Sequence, residues 1–173
     1  MKLEYENKMK EVNKQHNTFI KNLKEEYEQK ILNINNNDKI IYHEEIYENG
    51  DKYEGDWKNN KREGKGILFS KNGDRYEGDW NNDIIEGKGI TYHKNGDKYE
   101  GDYKNHKREG KGIYYYNDGS RYEGDFKNYK REGKGILYYD NGDREMGDYS
   151  DDKPIGTHVI LCLNGEIKTK IYN

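Results

Sequence analysis

The 173-residue chain has no alanine, one proline and one cysteine, and it is poor in branched aliphatics. Val, Ile, Leu and Phe together number 28, below the one-fifth share under which chains tend toward disorder. The absence of alanine and the scarcity of leucine exclude a helical bundle. The single Cys162 excludes an intrachain disulfide and a cysteine-based zinc site. The longest apolar run, Val159 to Leu163, falls far short of the roughly 20 residues of a membrane-spanning helix. Charge alternates from Lys2 to Glu11, where a secretory signal would need an apolar stretch. No excess of one charge sign exists either: 31 basic and 34 acidic residues leave a net charge of −3. That balance argues against disorder, which usually needs high net charge, and against general nucleic-acid binding. A cytoplasmic chain is expected.

What is present is Tyr, with 18 copies, and Gly, with 20. They recur with a period. Asn49-Gly50 returns as Asn72-Gly73, Asn95-Gly96, Asp118-Gly119, Asn141-Gly142 and Asn164-Gly165, each step being 23 residues. Tyr53-Glu54-Gly55-Asp56-Trp57 returns at Tyr76 to Trp80, Tyr99 to Tyr103 and Tyr122 to Phe126. Gly64-Lys65-Gly66-Ile67 returns at Gly87, Gly110 and Gly133. Such self-similarity signals a stack of supersecondary units, each unable to bury its own apolar face.

An Asn-Gly pair between strand-like runs predicts a two-residue type I′ hairpin. With Asn72-Gly73 as the turn, Phe69 faces Tyr76, Ile67 faces Gly78 and Lys65 faces Trp80. One face then carries Ile67, Phe69, Tyr76, Gly78 and Trp80, with glycine opposite isoleucine. The other carries Leu68, Ser70, Arg75, Glu77 and Asp79. The polar stretch Lys58 to Glu63 reads as a longer return loop. The expected fold is mainly β: an elongated antiparallel hairpin array of 23-residue period, preceded by an α-helix.

The unit Tyr-Glu-Gly-Asp-Trp-Lys-Asn-Asn-Lys-Arg-Glu-Gly-Lys-Gly resembles the MORN repeat, over about residues 49 to 163. The resemblance implies antiparallel hairpins in elongated twisted arrays. It also implies a scaffold or interaction protein of cytoskeletal, ciliary or membrane-junction assemblies. MORN arrays accompany catalytic domains too, such as phosphatidylinositol phosphate kinases and a SET-domain methyltransferase. Only about ten residues follow the repeats here, so no such domain is expected within this chain. A regulatory role beside an enzyme stays open as a lesser reading.

Four organisational segments are expected. Residues 1–38 form an amphipathic helix and linker, 39–48 degenerate opening strands, 49–142 four regular repeats, and 143–173 a degenerate fifth repeat with a C-terminal cap. In the first segment Tyr5, Met9, Val12, Phe19, Leu23, Tyr27, Ile31 and Ile34 recur at a mean step of about 3.6 residues, the period of a straight helix. Thirty-four helical residues would extend about 51 Å, close to the length expected of five units. The helix could cover the aromatic face, pair two chains as a homodimer through residues 1–34, or order on a partner. In the cap, Cys162 reads as a small buried apolar residue.

Catalytic and metal motifs are not found: no phosphate loop, no paired histidines at ligand spacing, and carboxylates that repeat with the unit as a solvated face would. No cofactor is expected. Two candidate surfaces remain. Tyr53, Trp57, Tyr76, Trp80, Tyr99, Tyr103, Tyr122 and Phe126 could line a groove for a protein partner. Lys58, Lys61, Arg62 and Lys65 recur as Lys104, Lys107, Arg108 and Lys111, and as Lys127, Lys130, Arg131 and Lys134. Aligned along one edge, they could meet an anionic membrane surface, at about 1 kcal/mol per basic residue. Against this ladder, residues 49–163 hold 21 basic and 23 acidic side chains, and the second unit substitutes Ile84-Ile85. That apolar pair could be a partner contact or a local packing patch.

Overall fold

A computed structural model describes residues 10, 14, 17, 18, 20–28, 30 and 39–172. These fall into two units, Met1–Ile40 and Ile41–Asn173. In the first, residues 20–28 are helical. Lys30 donates to Glu26 at 2.6 Å, and Lys21 lies 3.8 Å from Glu25, both one turn apart on an exposed surface. Such pairs add only a few tenths of a kcal/mol. Ile20, Leu23 and Tyr27 form an exposed stripe. Residues 10, 14, 17, 18 and 30 are helical as well; the rest of the expected helix over 1–34, with its covering or pairing role, lies outside the described residues.

The second unit is one antiparallel sheet of twelve strands in sequence order. They are β1 (Ile41–Ile46), β2 (Lys52–Lys58), β3 (Lys61–Phe69), β4 (Arg75–Asn81), β5 (Ile84–Tyr92), β6 (Lys98–Lys104), β7 (Lys107–Tyr115), β8 (Arg121–Lys127), β9 (Lys130–Tyr138), β10 (Arg144–Ser150), β11 (Lys153–Leu161) and β12 (Ile167–Tyr172). The region read as opening strands holds a single strand, β1, which pairs with β2 as the second half of a repeat would.

Both turns differ from the lengths expected of them, the Asn-Gly turn being one residue longer and the return loop shorter. At Asn72-Gly73 the Ser70 amide donates to the Asp74 carbonyl and the Gly73 amide to the Ser70 carbonyl, both at 2.9 Å. The loop is therefore three residues, Lys71-Asn72-Gly73, closed by a glycine at φ +99°. The Asn72 side chain accepts from the Asp74 amide at 2.8 Å, and Asp74 in turn accepts from the Lys94 amide of the next loop at 2.8 Å. The Asn-Gly-Asp triplet thus shapes one loop and staples it to its neighbour.

The extra loop residue slips the register by one, and in a sheet one residue flips every side chain to the other face. Leu68, not Phe69, pairs with Tyr76; Ile67 pairs with Glu77; Gly66 pairs with Gly78; Gly64 pairs with Trp80. Ile67 and Phe69 consequently leave the aromatic face and join Glu77 and Arg75. Leu68 moves onto it, and glycine stands opposite glycine rather than isoleucine.

The supposed return loop is instead the tight turn. Asn59 and Asn60, at φ 54° and 59°, join Lys58 to Lys61 directly. Asn82-Asp83, Asn105-His106, Asn128-Tyr129 and Asp151-Asp152 repeat this left-handed pair. Strands β3, β5, β7 and β9 therefore run nine residues each. A bulge lets them fit seven-residue partners. Asp56 bridges it, accepting from the Lys65 amide at 3.1 Å, and Asp79 and Asp102 do the same for Lys88 and Lys111.

Candidate interaction surface

All eight candidate groove aromatics are buried, none more than 9% exposed, and Tyr149 joins them. Each tyrosine at the start of the motif lies flat across a glycine pair. At Gly112 an added Cβ would fall 2.5 Å from the Tyr99 hydroxyl and 2.6 Å from its ring. Only glycine leaves that space. The hydroxyl then donates to the Asp102 carbonyl at 3.0 Å, as Tyr53, Tyr76 and Tyr122 do to Asp56, Asp79 and Asp125.

Rings from successive strands interleave edge to face. Tyr53–Trp57, Tyr53–Trp80, Tyr76–Trp80, Tyr76–Tyr103, Tyr99–Tyr103, Tyr99–Phe126, Tyr122–Phe126 and Tyr122–Tyr149 have centroids 5.0–5.5 Å apart and planes at 77–88°. Such pairs contribute about 0.5–1.5 kcal/mol each beyond their buried area. Burial pushes the Tyr103 hydroxyl up to about 12, despite its hydrogen bond with Thr91 and the nearby Arg108 charge. It pushes Tyr53, Tyr76, Tyr99 and Tyr122 higher still. These hydroxyls hold their protons at neutral pH and serve as structural donors.

The ring stack continues into the last unit with different chemistry. Glu145 occupies the tyrosine position and His158 the second glycine position, and both are buried, at 2% and 0% exposure. The imidazole now fills the space over Gly147, meeting Tyr149 and Tyr172 edge on at 5.2 and 4.9 Å. Its Nε2 lies 2.9 Å from the Asp148 carbonyl, the kind of carbonyl that the tyrosine hydroxyl reaches elsewhere. Nδ1 approaches Glu145 at 3.0 Å without hydrogen-bond alignment. Glu145 accepts from the Tyr139 and Tyr172 hydroxyls. Burial works against its charge, but those two hydrogen bonds, with His158 and Lys170, outweigh it and hold the carboxyl below its usual range. Sequence reading saw only a degenerate unit here. The reciprocal exchange of Tyr for Glu and Gly for His was the available signal. Cys162, expected to be buried, is half-buried at the start of a loop.

The basic ladder is divided between the two faces. Arg62, Arg108 and Arg131 stand on the ring side. The Arg62 guanidinium sits 4.2 Å over Trp80 and bonds Asp83; Arg108 sits 4.9 Å over Tyr114; Arg131 sits 5.1 Å over Tyr149 and bonds Asp152. Lys65 and Lys111 point to the opposite face and bridge to Asp79 and Asp125. Lys107 and Lys130 bond Asn128 and Asp151 across neighbouring turns. Lys61, Lys104 and Lys127 are exposed at the tight turns beside Lys58, and Lys134 is opposite Asp148 on the groove side. Where Arg would recur, Ile85 packs against the rings, which assigns that residue of the apolar pair to packing.

The face opposite the rings carries an open groove of about 1280 Å³ reaching from β3 to β10. Its floor is bare backbone at Gly78, Gly89, Gly101, Gly112, Gly124 and Gly135. Along it runs a cross-strand row in strict alternation: Ile67, Glu77, Ile90, Glu100, Ile113, Glu123, Ile136, then Met146. One wall is made of Lys–Asp bridges, Lys88 to Asp102 at 2.5 Å and Lys111 to Asp125 at 2.6 Å. On the other side of the row Arg75, Lys98 and Arg121 lie 3.9–4.2 Å over Tyr92, Tyr115 and Tyr138. Among the described residues no cluster of three His, Cys, Asp or Glu side chains is placed to hold a metal ion. Nor is any described helix long and apolar enough to cross a membrane.

The sequence model of the MORN repeat matches residues 53–75, 76–98, 99–121 and 122–144, more than half of the chain. No curated protein matches the sequence. Among solved structures, the chain is similar to the TCP domain of SAS-4 (dCPAP) of Drosophila melanogaster, solved in complex with a proline-rich motif of Ana2 (dSTIL). Identity is 18% and the TM-score 0.38, over 76% of this chain and 90% of that one. It is also similar to the TCP10 domain of Danio rerio CPAP, solved with a STIL peptide, at 10% identity and a TM-score of 0.27, over 75% of this chain and 83% of that one.

Proposed function

Because this chain belongs to the MORN repeat family, we propose that it is a non-catalytic interaction scaffold whose glycine-floored groove holds an extended segment of a protein partner. The observation that carries this reading is the contrast between the two faces of the sheet. The rings are used up by one another, while the opposite face keeps an open groove between the alternating Ile/Glu row and the Lys–Asp bridges. From β3 to β10 the groove runs about 34 Å at the usual strand spacing, room for about ten extended residues. Its aliphatic steps recur on every second strand. They suit a segment with regularly spaced apolar side chains, while the carboxylates between them and the Lys–Asp wall set its register. Attachment to a cytoskeletal, ciliary or membrane-associated assembly is the setting this function would serve.

The geometry weighs against the anionic-surface alternative, since the recurring arginines lie on the ring stack and Lys65 and Lys111 are bridged to aspartates. The same site offers no support for a lipid-kinase role. A photo-crosslinking residue placed at Ile113 in the native cell should give a discrete protein adduct. The same probe at Tyr129, in a tight turn, should not. With the probe kept at position 113, Ile90→Asp with Ile136→Asp should abolish the adduct while the melting temperature stays within a few degrees. Adducts arising equally from both positions, or surviving the double substitution, would refute the groove as the partner site.

A further inference from the structure

The two ends of the sheet are open, and they are complementary. β1 and β12 each have only one neighbour in the strand order, so the outer edge of each carries backbone donors and acceptors that no described strand uses. Neither edge is guarded by proline or a bulge, and both expose aliphatics: Ile46 is 74% and Ile167 69% exposed. Each is six residues long and carries charged side chains, which deter pairing of like edges but suit an edge of the opposite charge; an open edge of this kind is a template for strand addition.

Their charges are opposite. β1 reads Ile-Tyr-His-Glu-Glu-Ile and β12 reads Ile-Lys-Thr-Lys-Ile-Tyr. The strand count is even, so β12 runs antiparallel to β1. A second copy can therefore place its β1 beside β12 in the sense that every neighbouring pair already has.

The repeat also fixes the register. The last residue of each long strand pairs with the first residue of the short strands on both sides. Tyr92 pairs with Arg75 and Lys98, Tyr138 with Arg121 and Arg144, and Leu161 with Arg144 and Ile167. Ile46 holds that position in β1, where it pairs with Lys52. Continuing the pattern sets Ile167 against Ile46 of the next copy, Lys168 against Glu45, Thr169 against Glu44 and Lys170 against His43. Apolar meets apolar, and a lysine meets a glutamate directly across the ladder.

We propose that this chain assembles head to tail, the β12 edge of one copy adding to the β1 edge of the next as a sixth step of the 23-residue repeat. The pairing is heterologous, so it does not consume its own ends, and it yields open rows of copies rather than a closed dimer. Pairing like edges is disfavoured: β1 with β1 gathers four carboxylates on one short ladder, and β12 with β12 gathers four lysines. The surface involved is distinct from the groove, so assembly and partner binding can be tested separately.

The test uses the full chain in sedimentation velocity across a concentration series. Wild type should show a concentration-dependent series extending beyond two copies, weakened by salt. Lys168→Glu with Lys170→Glu should reduce association by about tenfold or more, and Glu44→Lys with Glu45→Lys should do the same. The two variants mixed should associate again, because each then offers the other opposite charges at both junctions. That recovery also shows that the variants are folded. A wild-type chain that stays monomeric throughout would overturn the proposal. So would a closed dimer indifferent to these substitutions, or a mixture no more associated than its components.

Discussion

The four regular repeats and the last unit solve one packing problem with different residues. In each regular repeat a tyrosine reaches across two glycines and bonds the carbonyl beyond them. In the last unit the ring comes from the facing strand, as His158, and the tyrosine position is given to a carboxylate. What both share is a flat ring over a bare patch of backbone, a polar atom on the carbonyl near the bulge, and an edge-to-face neighbour on each side. The requirement is the ring and its space. The strand that supplies the ring is free to change, provided that the opposite position changes with it.

The largest expected effect separates the regular repeats from an ordinary surface sheet. Tyr99→Ala should cost about 4 kcal/mol by thermal or denaturant unfolding, since it opens a cavity at the centre of the ring stack. In the last unit, Glu145→Ala should cost about 3 kcal/mol, because it empties a buried position and removes the acceptor of the Tyr139 and Tyr172 hydroxyls. A loss under about 1 kcal/mol for either would mean that the two regions do not share a structural logic.

The pH response should also distinguish the regions. Glu145 is held below its ordinary value in the folded chain, so the stability it contributes is complete above the unfolded value near 4.5 and is lost as pH falls through the folded one. Melting of the wild type against Glu145→Gln should show a gap that is constant from pH 7 to about 5 and narrows below about 4.5. A gap independent of pH would remove the charged carboxylate from the account. The smallest effect belongs to the tyrosine hydroxyl: Tyr99→Phe keeps the ring and loses one bond to the Asp102 carbonyl, about 1 kcal/mol in the same unfolding measurement.

Much of this architecture was legible in the sequence. The 23-residue spacing of Asn-Gly, the Tyr-Glu-Gly-Asp motif and the Gly-Lys-Gly motif predict antiparallel hairpins that bury aromatic rings, and the family follows from the same residues. The register was not legible, because Asn-Gly serves both two-residue and three-residue loops. The choice between them rests on Asp74, whose carboxylate accepts both from Asn72 of its own loop and from the Lys94 amide of the next loop along the sheet. The tight turn escaped for a related reason. Its second residue is Asn60, Asp83, His106, Tyr129 or Asp152, and the last four each donate their amide to a carbonyl of the preceding unit, as in the bond from the Tyr129 amide to the Arg108 carbonyl, a contact that no local sequence signal announces. The groove followed from the register: with Ile67 on the ring face, the opposite face lacked the isoleucine row and carried Leu68 in its place.

The central claim, that ring and space are exchanged together between strands, is tested most directly by a double-mutant cycle at the last unit. Glu145→Tyr alone forces a second ring into the volume that His158 fills, and His158→Gly alone empties it. Together they rebuild the arrangement of the other four repeats. Unfolding free energies of the wild type, both single variants and the double variant should show each single variant destabilised and the double variant largely restored, with a favourable coupling of about 2–3 kcal/mol. Additive losses, with the double variant less stable than either single, would contradict the account.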